Sequence, residues 1–262
     1  MRQIDMNEHL ATRSQLYSSQ HFDIRYPDDY PQTAAKQLAE ISEAELKRLQ
    51  PMVPTPSFQK VTINVLHWQD FRSIYTGNDF ILGFYQGKIT VPFGNVATFT
   101  PEVVSILTHE LCHALIADAT NDQAPRWFHE GLARRVEMRP YHENAFNMYD
   151  DDRLLAVSLL DSVMNASPDP DMIGEAYIEA QTIIRFIEAS YGPQAIPKML
   201  SAFRAGATTE EAIRQLTHGD IGAFDAKLRA WGRGGARVFD NPPPIRYDTA
   251  GEGDIHWTNR KG

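Results

Sequence analysis

An α+β fold is predicted by three features of the sequence. Segments alternating apolar and polar residues gather before position 95, segments of helical period fill the chain after position 100, and no internal repeat is visible. The chain has 262 residues, 42% of them apolar and 23% charged, which suits a globular protein with a sizeable core. Its 25 Lys and Arg against 34 Asp and Glu give a net charge of −9. That balance argues against non-specific binding to nucleic acid or to anionic membrane, both of which need surplus basic residues. No apolar run approaches the roughly 20 residues of a membrane span. A single cysteine, Cys112, excludes an intrachain disulfide and a cysteine-rich zinc site. Met1-Arg2-Gln3-Ile4-Asp5 lacks the apolar stretch of a secretory signal, and the compartment stays open.

Residues 1–20 are polar and without clear period, so an N-terminal arm or a short helix is expected there. His21 to Tyr26 alternates and predicts a half-buried strand, broken between Pro27 and Pro31. Ala35, Leu38, Ile41, Leu46 and Leu49 recur at helical spacing over 32–49. Val61, Ile63 and Val65 mark one face of a strand over 60–67. Phe80 to Phe93 reads as a hairpin turning at Gln86-Gly87, and Pro92 places the end of its second strand at, or on, a sheet edge. Thr100-Pro101 starts a helix that runs to about Ala119, with Thr100 as its cap. A connection over Asn121 to Pro125 leads to a second helix over about 125–138. Residues 139–150 are irregular. Helices follow at 151–165, 171–190, 194–204, 209–216 and 220–231, with a capping box at Thr208 and Glu211 and a glycine cap at Gly192. The last segment, 232–262, is a tail rich in Gly and Pro. The expected organisation is an arm (1–20), one unit over 21–231 with lobes 21–119 and 120–231, and the tail.

The chemistry concentrates in His109-Glu110-Leu111-Cys112-His113. On a helix, positions i and i+4 share a face, so both imidazoles reach one point, as two ligands of a tetrahedral Zn²⁺ must. Glu110 lies about 100° round the helix, beside that point, where a carboxylate can take a proton from water and return it to a leaving amine. A catalytic zinc needs a third protein ligand. Ala119 and Ile116 stand where a one-helix pattern would need His and Gly, so the third ligand is sought further on. Glu130 is the candidate: it follows His113 by 17 residues, and an antiparallel return of the second helix brings it back beside His109 and His113. His129, one position earlier, lines the cleft or supports a ligand. Cys112 faces away from both histidines and is read as packing. Trp127 and Phe128 are read as core anchors.

The pairing of H-E-x-x-H with Trp127-Phe128-His129-Glu130-Gly131-Leu132-Ala133 resembles the gluzincin metallopeptidases, above all the compact peptidase MA-like domains. The similarity extends at pattern level from about His21 to Trp231. The resemblance implies a zincin-like fold: a small N-terminal mixed sheet with an edge strand over the active-site helix, then a helical C-terminal lobe. It implies one Zn²⁺ on His109, His113 and Glu130, Glu110 as catalytic base, and a peptide or protein substrate. Tyr177, in Ala176-Tyr177-Ile178-Glu179-Ala180, looks like the residue that steadies the oxyanion, with Tyr141, His142 and Tyr149 as rivals. Gly83, Phe84 and Tyr85, or else Ile89 to Val91, would form the substrate-binding edge. The G-x-M-E-N motif of the related aminopeptidases is missing, which counts against an aminopeptidase and favours an endopeptidase or a specialised peptidase of unknown cleavage pattern. Arg134 stands where some relatives carry an Asp that orients a ligand histidine, so Asp118 or a backbone carbonyl would have to serve. Two other readings are a silent zincin-like domain that binds a peptide or protein partner, and a zinc hydrolase acting on another substrate.

Overall fold

The computed structural model describes residues 14–56, 58–74, 82–93, 99–137 and 154–233. Five strands form a mixed sheet: β1 (Ser14–Ser18), β2 (Phe22–Pro27), β3 (Val61–His67), β4 (Phe84–Tyr85) and β5 (Ile89–Phe93), in the order β1-β2-β3-β5-β4. β2, β3 and β5 run parallel, while β1 and β4 are antiparallel to their neighbours. A parallel pair needs a crossover, and helix α1 (Gln32–Leu49) supplies the one between β2 and β3. The short helix α2 (Trp68–Ile74) follows β3. Helices α3 (Pro101–Thr120), α4 (Arg126–Val136), α5 (Leu160–Ala166), α6 (Pro170–Tyr191), α7 (Ala195–Arg204), α8 (Thr209–Thr217) and α9 (Ile221–Arg233) make up the rest. This is the expected α+β layout, with the sheet first and the helical lobe after it.

Phe22, Ile24 and Tyr26 of β2 join Ile63, Val65, Ile89 and Val91 in a core that α1 and α3 cover. The same cluster of buried side chains continues through Trp127, Phe128, Ile183, Phe203 and Leu228. Helix α3 is central. It touches the sheet, α1, α4 and α7, which explains why apolar residues lie nearly all round it. Its cap is the expected one, the Thr100 hydroxyl accepting from the Val103 N–H at 3.4 Å. Behind it lies an ion pair between the buried Glu45 and the partly exposed Arg48. Glu45 of α1 accepts from Arg48 at 2.6 Å and from the Thr108 hydroxyl at 2.9 Å, and Arg48 also donates to the Val136 carbonyl at 3.0 Å. Three helices are thus tied at one point.

Several expectations change. Ser14–Ser18, expected within an arm or short helix, is strand β1; it is held by backbone pairing to β2 and leaves Leu16 exposed, so it needs no apolar pattern. Helix α2 was not foreseen from the sequence. The second long helix begins at Arg126, with Pro125 as its cap. The helix expected at 151–165 is a 3-10 turn (Val157–Leu159) followed by α5, while residues 151–153 lie outside the described residues. There the Leu155 N–H goes to Glu179 at 3.1 Å and the Val157 N–H to Asp225 at 3.4 Å, which keeps Leu154 to Ala156 out of a helix. The hairpin turns at Gln86-Gly87-Lys88, with Gly87 at φ +73° and the Gln86 N–H bonded to the Lys88 carbonyl at 3.0 Å. Pro92 pairs with Leu66 of β3 and lies past the two residues that β4 covers, so its missing N–H costs no ladder bond on that side. The capping box at Thr208 and Glu211 and the cap at Gly192, φ +79°, form as expected. The irregular segment 139–150 and the tail from 234 onward lie outside the described residues.

Glu179 on α6 is 1% exposed, and its Oε1 has no hydrogen-bond partner among the described residues. Burial raises its carboxyl from 4.5 to about 8, against the Leu155 N–H and Arg229, which lower it. A group raised in the folded state contributes stability below its unfolded value of 4.5, and that contribution is lost as pH rises towards about 8. Glu179→Gln keeps the acceptor for Leu155 and carries no charge. It is expected to melt higher than the parent above pH 8, by about 1–3 kcal/mol of stability, and to converge with it near pH 4.5. Parallel melting curves across that range would contradict this.

Candidate metal centre and active site

The period of α3 sets His109 and His113 one turn apart on one face, with ring centroids 4.7 Å apart. After α3, Asn121 and Asp122 both take left-handed backbone angles, φ 52° and 59°, and reverse the chain within a few residues. Asn and Asp tolerate that conformation better than other side-chain-bearing residues. Helix α4 then returns beside α3 and is anchored at its start. The buried Trp127 gives its backbone N–H to Asp161 at 2.8 Å and its indole N–H to Thr209 at 3.0 Å, and Phe128 packs edge-on against Phe203.

This return brings Glu130 to the histidines. Glu130 Oε2 lies 3.5 Å from His109 Nε2 and 3.7 Å from His113 Nε2, and the two Nε2 atoms are 3.1 Å apart. Ligands of a tetrahedral Zn²⁺ with bonds of about 2.0–2.1 Å lie about 3.3–3.4 Å from one another. The three donor atoms therefore fit one such ion with small adjustments, and the donor set of two imidazoles and a carboxylate suits zinc. Each side chain is largely buried but not sealed off.

Both ligand-type histidines are held from behind. His109 Nδ1 meets Glu137 Oε2 at 2.8 Å, and Glu137 is 6% exposed. His113 Nδ1 meets His129 Nδ1 at 3.3 Å. The support expected from Asp118 or a backbone carbonyl is thus supplied by Glu137 and His129. Glu137 escaped the sequence reading because only the fourth position after Glu130 was considered. The seventh position lies on the same helix face, two turns on, and that spacing was the available signal.

The electrostatics follow from three buried carboxyl groups in one pocket. Glu110 is raised to about 7 by burial and by Glu130 and Glu137, partly offset by His109. For His109, burial favours the neutral ring, but Glu130 and Glu137 override it and raise the group to about 10. His113 is pushed down by burial and by His109, and stays neutral. Glu130 is lowered despite its burial, through His109, His113 and Arg126. The pocket concentrates negative charge and is completed by a positive one. Cys112 is fully buried, and burial keeps its thiol protonated, so it packs as expected.

Gly83, just before β4, lies close against helix α3 beside Glu110. A Cβ there would lie 2.9 Å from Ile106 Cγ2 and 3.2 Å from Glu110 Oε1, so any larger residue would have to displace those side chains to bring the chain this close to the carboxylate. Tyr85 shares that face; burial, Asp122 and Asp118 raise its hydroxyl. Phe84 points to the opposite face, stacked on Phe71 at 5.9 Å, so only its backbone is available to a ligand. Ile89 to Val91, the rival edge, lies between β3 and β4. Tyr177 of α6 reaches the site: its hydroxyl lies 3.3 Å from Glu130 Oε1 and accepts from Arg126 at 2.8 Å. Tyr141, His142 and Tyr149 lie outside the described residues.

The sequence model of the Peptidase MA superfamily matches residues 71–234, more than half of the chain. The chain belongs to this superfamily. No curated protein matches it. The Peptidase MA match takes in β4, β5 and every helix from α3 to α9, and so contains all the residues placed around the site. The small mixed sheet leading into a helical lobe is the zincin-like arrangement that the sequence implied for a peptidase domain of this kind.

Gly131, next to Glu130, lets the backbones of α4 and α6 come close together. A Cβ there would lie 2.5 Å from the Ala180 carbonyl oxygen and 2.8 Å from its carbon, and backbone cannot swing aside as a side chain can. Gly131→Ala is expected to cost about 1–3 kcal/mol, a fall in Tm of roughly 2–12 °C. Thermal unfolding measures it, and an unchanged Tm would show that the two helices have slack at this point.

Proposed function

We propose that this Peptidase MA superfamily member is a zinc-dependent peptidase of gluzincin type, and an endopeptidase. The observation that carries the reading is the spacing of His109 Nε2, His113 Nε2 and Glu130 Oε2, which matches one tetrahedral ion, with the Glu110 carboxylate beside them. These three residues would hold the zinc, and Glu137 and His129 would keep the imidazoles turned towards it. When bound, the ion supplies polarisation of the scissile carbonyl and acidification of water.

The chain's own residues do the rest. Glu110 takes a proton from the attacking water and hands it to the leaving amine; its burial against Gly83 keeps bulk water from it. Tyr177 donates a hydrogen bond from its hydroxyl to the oxyanion that forms at the carbonyl. The segment from Gly83 through β4 lies at the end of the sheet order, and its backbone pairs with an extended peptide, which needs no free terminus. The working unit is 21–231, with lobes 21–119 and 120–231. The buried cluster shared by both lobes supports treating it as one piece. No helix among the described residues is long and apolar enough to cross a membrane.

Two variants test the reading. Glu110→Gln is expected to retain zinc and lose hydrolysis of a peptide library by about 10²–10⁴-fold. Glu130→Ala is expected to lower zinc content. Elemental analysis and library cleavage with and without chelator measure both. Undiminished hydrolysis by the first variant would sink the role of Glu110, and unchanged zinc in the second would place the third ligand elsewhere. Zinc in the parent with no cleavage of any peptide would favour the silent binding domain.

A further inference from the structure

Arg126 is the first residue of α4, one helical turn before Glu130, and its guanidinium is pinned on three sides. One terminal nitrogen donates to the Met164 carbonyl and to Asn165 Oδ1, both at 2.9 Å, and the other donates to the Tyr177 hydroxyl at 2.8 Å. Its Nε lies 3.8 Å from Glu130 Oε1. The Met164 carbonyl belongs to the last turn of α5, where helix carbonyls favour a cation. Tyr177 is flanked by a second guanidinium, that of Arg134, 5.7 Å from the ring centroid.

A phenol has one hydrogen and two acceptor sites, and a guanidinium has donors only. With Arg126 donating into the phenol oxygen, the Tyr177 hydrogen cannot point at Arg126. It is turned to the other side, towards Glu130 and the donor cluster, where its contact among the described residues is long at 3.3 Å and easily exchanged. Donation by a cation also withdraws electron density from the phenol and makes its O–H a stronger donor. We infer that Arg126 is a positioning residue that fixes the direction of the Tyr177 hydroxyl and strengthens its donation to the developing oxyanion. The inference rests on the oxyanion role given to Tyr177 above. Lysine does not replace it fully, because three acceptors are met by one planar fork.

The test compares Arg126→Gln, Arg126→Lys, Tyr177→Phe and the double variant Arg126→Gln/Tyr177→Phe, each as zinc-loaded enzyme below its melting transition, with rates referred to zinc content. Arg126→Gln is expected to lower kcat by about 10–100-fold, the loss of one charge-assisted hydrogen bond, with KM nearly unchanged. Arg126→Lys is expected to recover part of that loss, and the double variant to be no slower than Tyr177→Phe alone. A rise in KM with unchanged kcat would make Arg126 a substrate-binding group instead and overturn the inference. Multiplying losses in the double variant would do the same, since the two residues would then act independently. Full kcat in Arg126→Gln beside a slow Tyr177→Phe would sink the inference and spare the reading of Tyr177. Full kcat in Tyr177→Phe would sink both, while leaving the Glu110 and zinc assignments to their own variants.

Discussion

The site depends on how closely two helix backbones approach at Gly131. Adjacent positions on α4 point about 100° apart, so when Gly131 faces Ala180 of α6, Glu130 faces α3. Any side chain at 131 would push α4 off α6, because the first atom it meets is the Ala180 carbonyl oxygen. The same contact brings Tyr177, one helical turn before Ala180 on α6, within reach of Glu130. A single missing Cβ thus sets two distances at once: carboxylate to histidines, and phenol to carboxylate. The glycine of the E-G pair serves packing, and its neighbour faces the donor cluster.

Electrostatics impose the second constraint. Glu110, Glu130 and Glu137 are all buried within one small volume, a costly arrangement unless positive charge completes it. Arg126 supplies part of that charge at the rim. The Glu45–Arg48 pair lies on the other side of α3 and has a different task. Through Thr108 and the Val136 carbonyl it holds the residue before His109 and the residue before Glu137. The histidine and the carboxylate that supports it are therefore registered by one shared clamp.

Legibility in the sequence followed the range of the interactions. His109, His113 and Glu130 could be read because their geometry follows from helical period and one short reversal, both local properties. The box at Thr208 and Glu211 and the Thr100 cap were legible for the same reason. Glu137 was missed although it is local, because the seventh position was not considered. Arg126 was missed for a different reason: its partner Tyr177 is 51 residues away, and no local rule joins them. Strand β1 was missed because backbone pairing asks nothing of its side chains. The overlong helix before residue 160 was overcalled because Glu179 and Asp225, distant in sequence, take its first N–H groups. Gly83 was picked out by resemblance, and its contact with Glu110 gives that choice a steric reason.

The left-handed pair Asn121-Asp122 has a consequence for how the molecule comes together. Because it turns the chain so sharply, all three donor residues fall between positions 109 and 130, and closing that loop costs little chain entropy. The groups around the donors arrive from far away along the chain: Gly83 from the segment before β4, Tyr177 from α6, the Glu45–Arg48 clamp from α1. In contact-order terms the donor set is a local structure and its surroundings are a non-local one. The donor triad is written into a helical hairpin, while the groups placed around it belong to the whole domain.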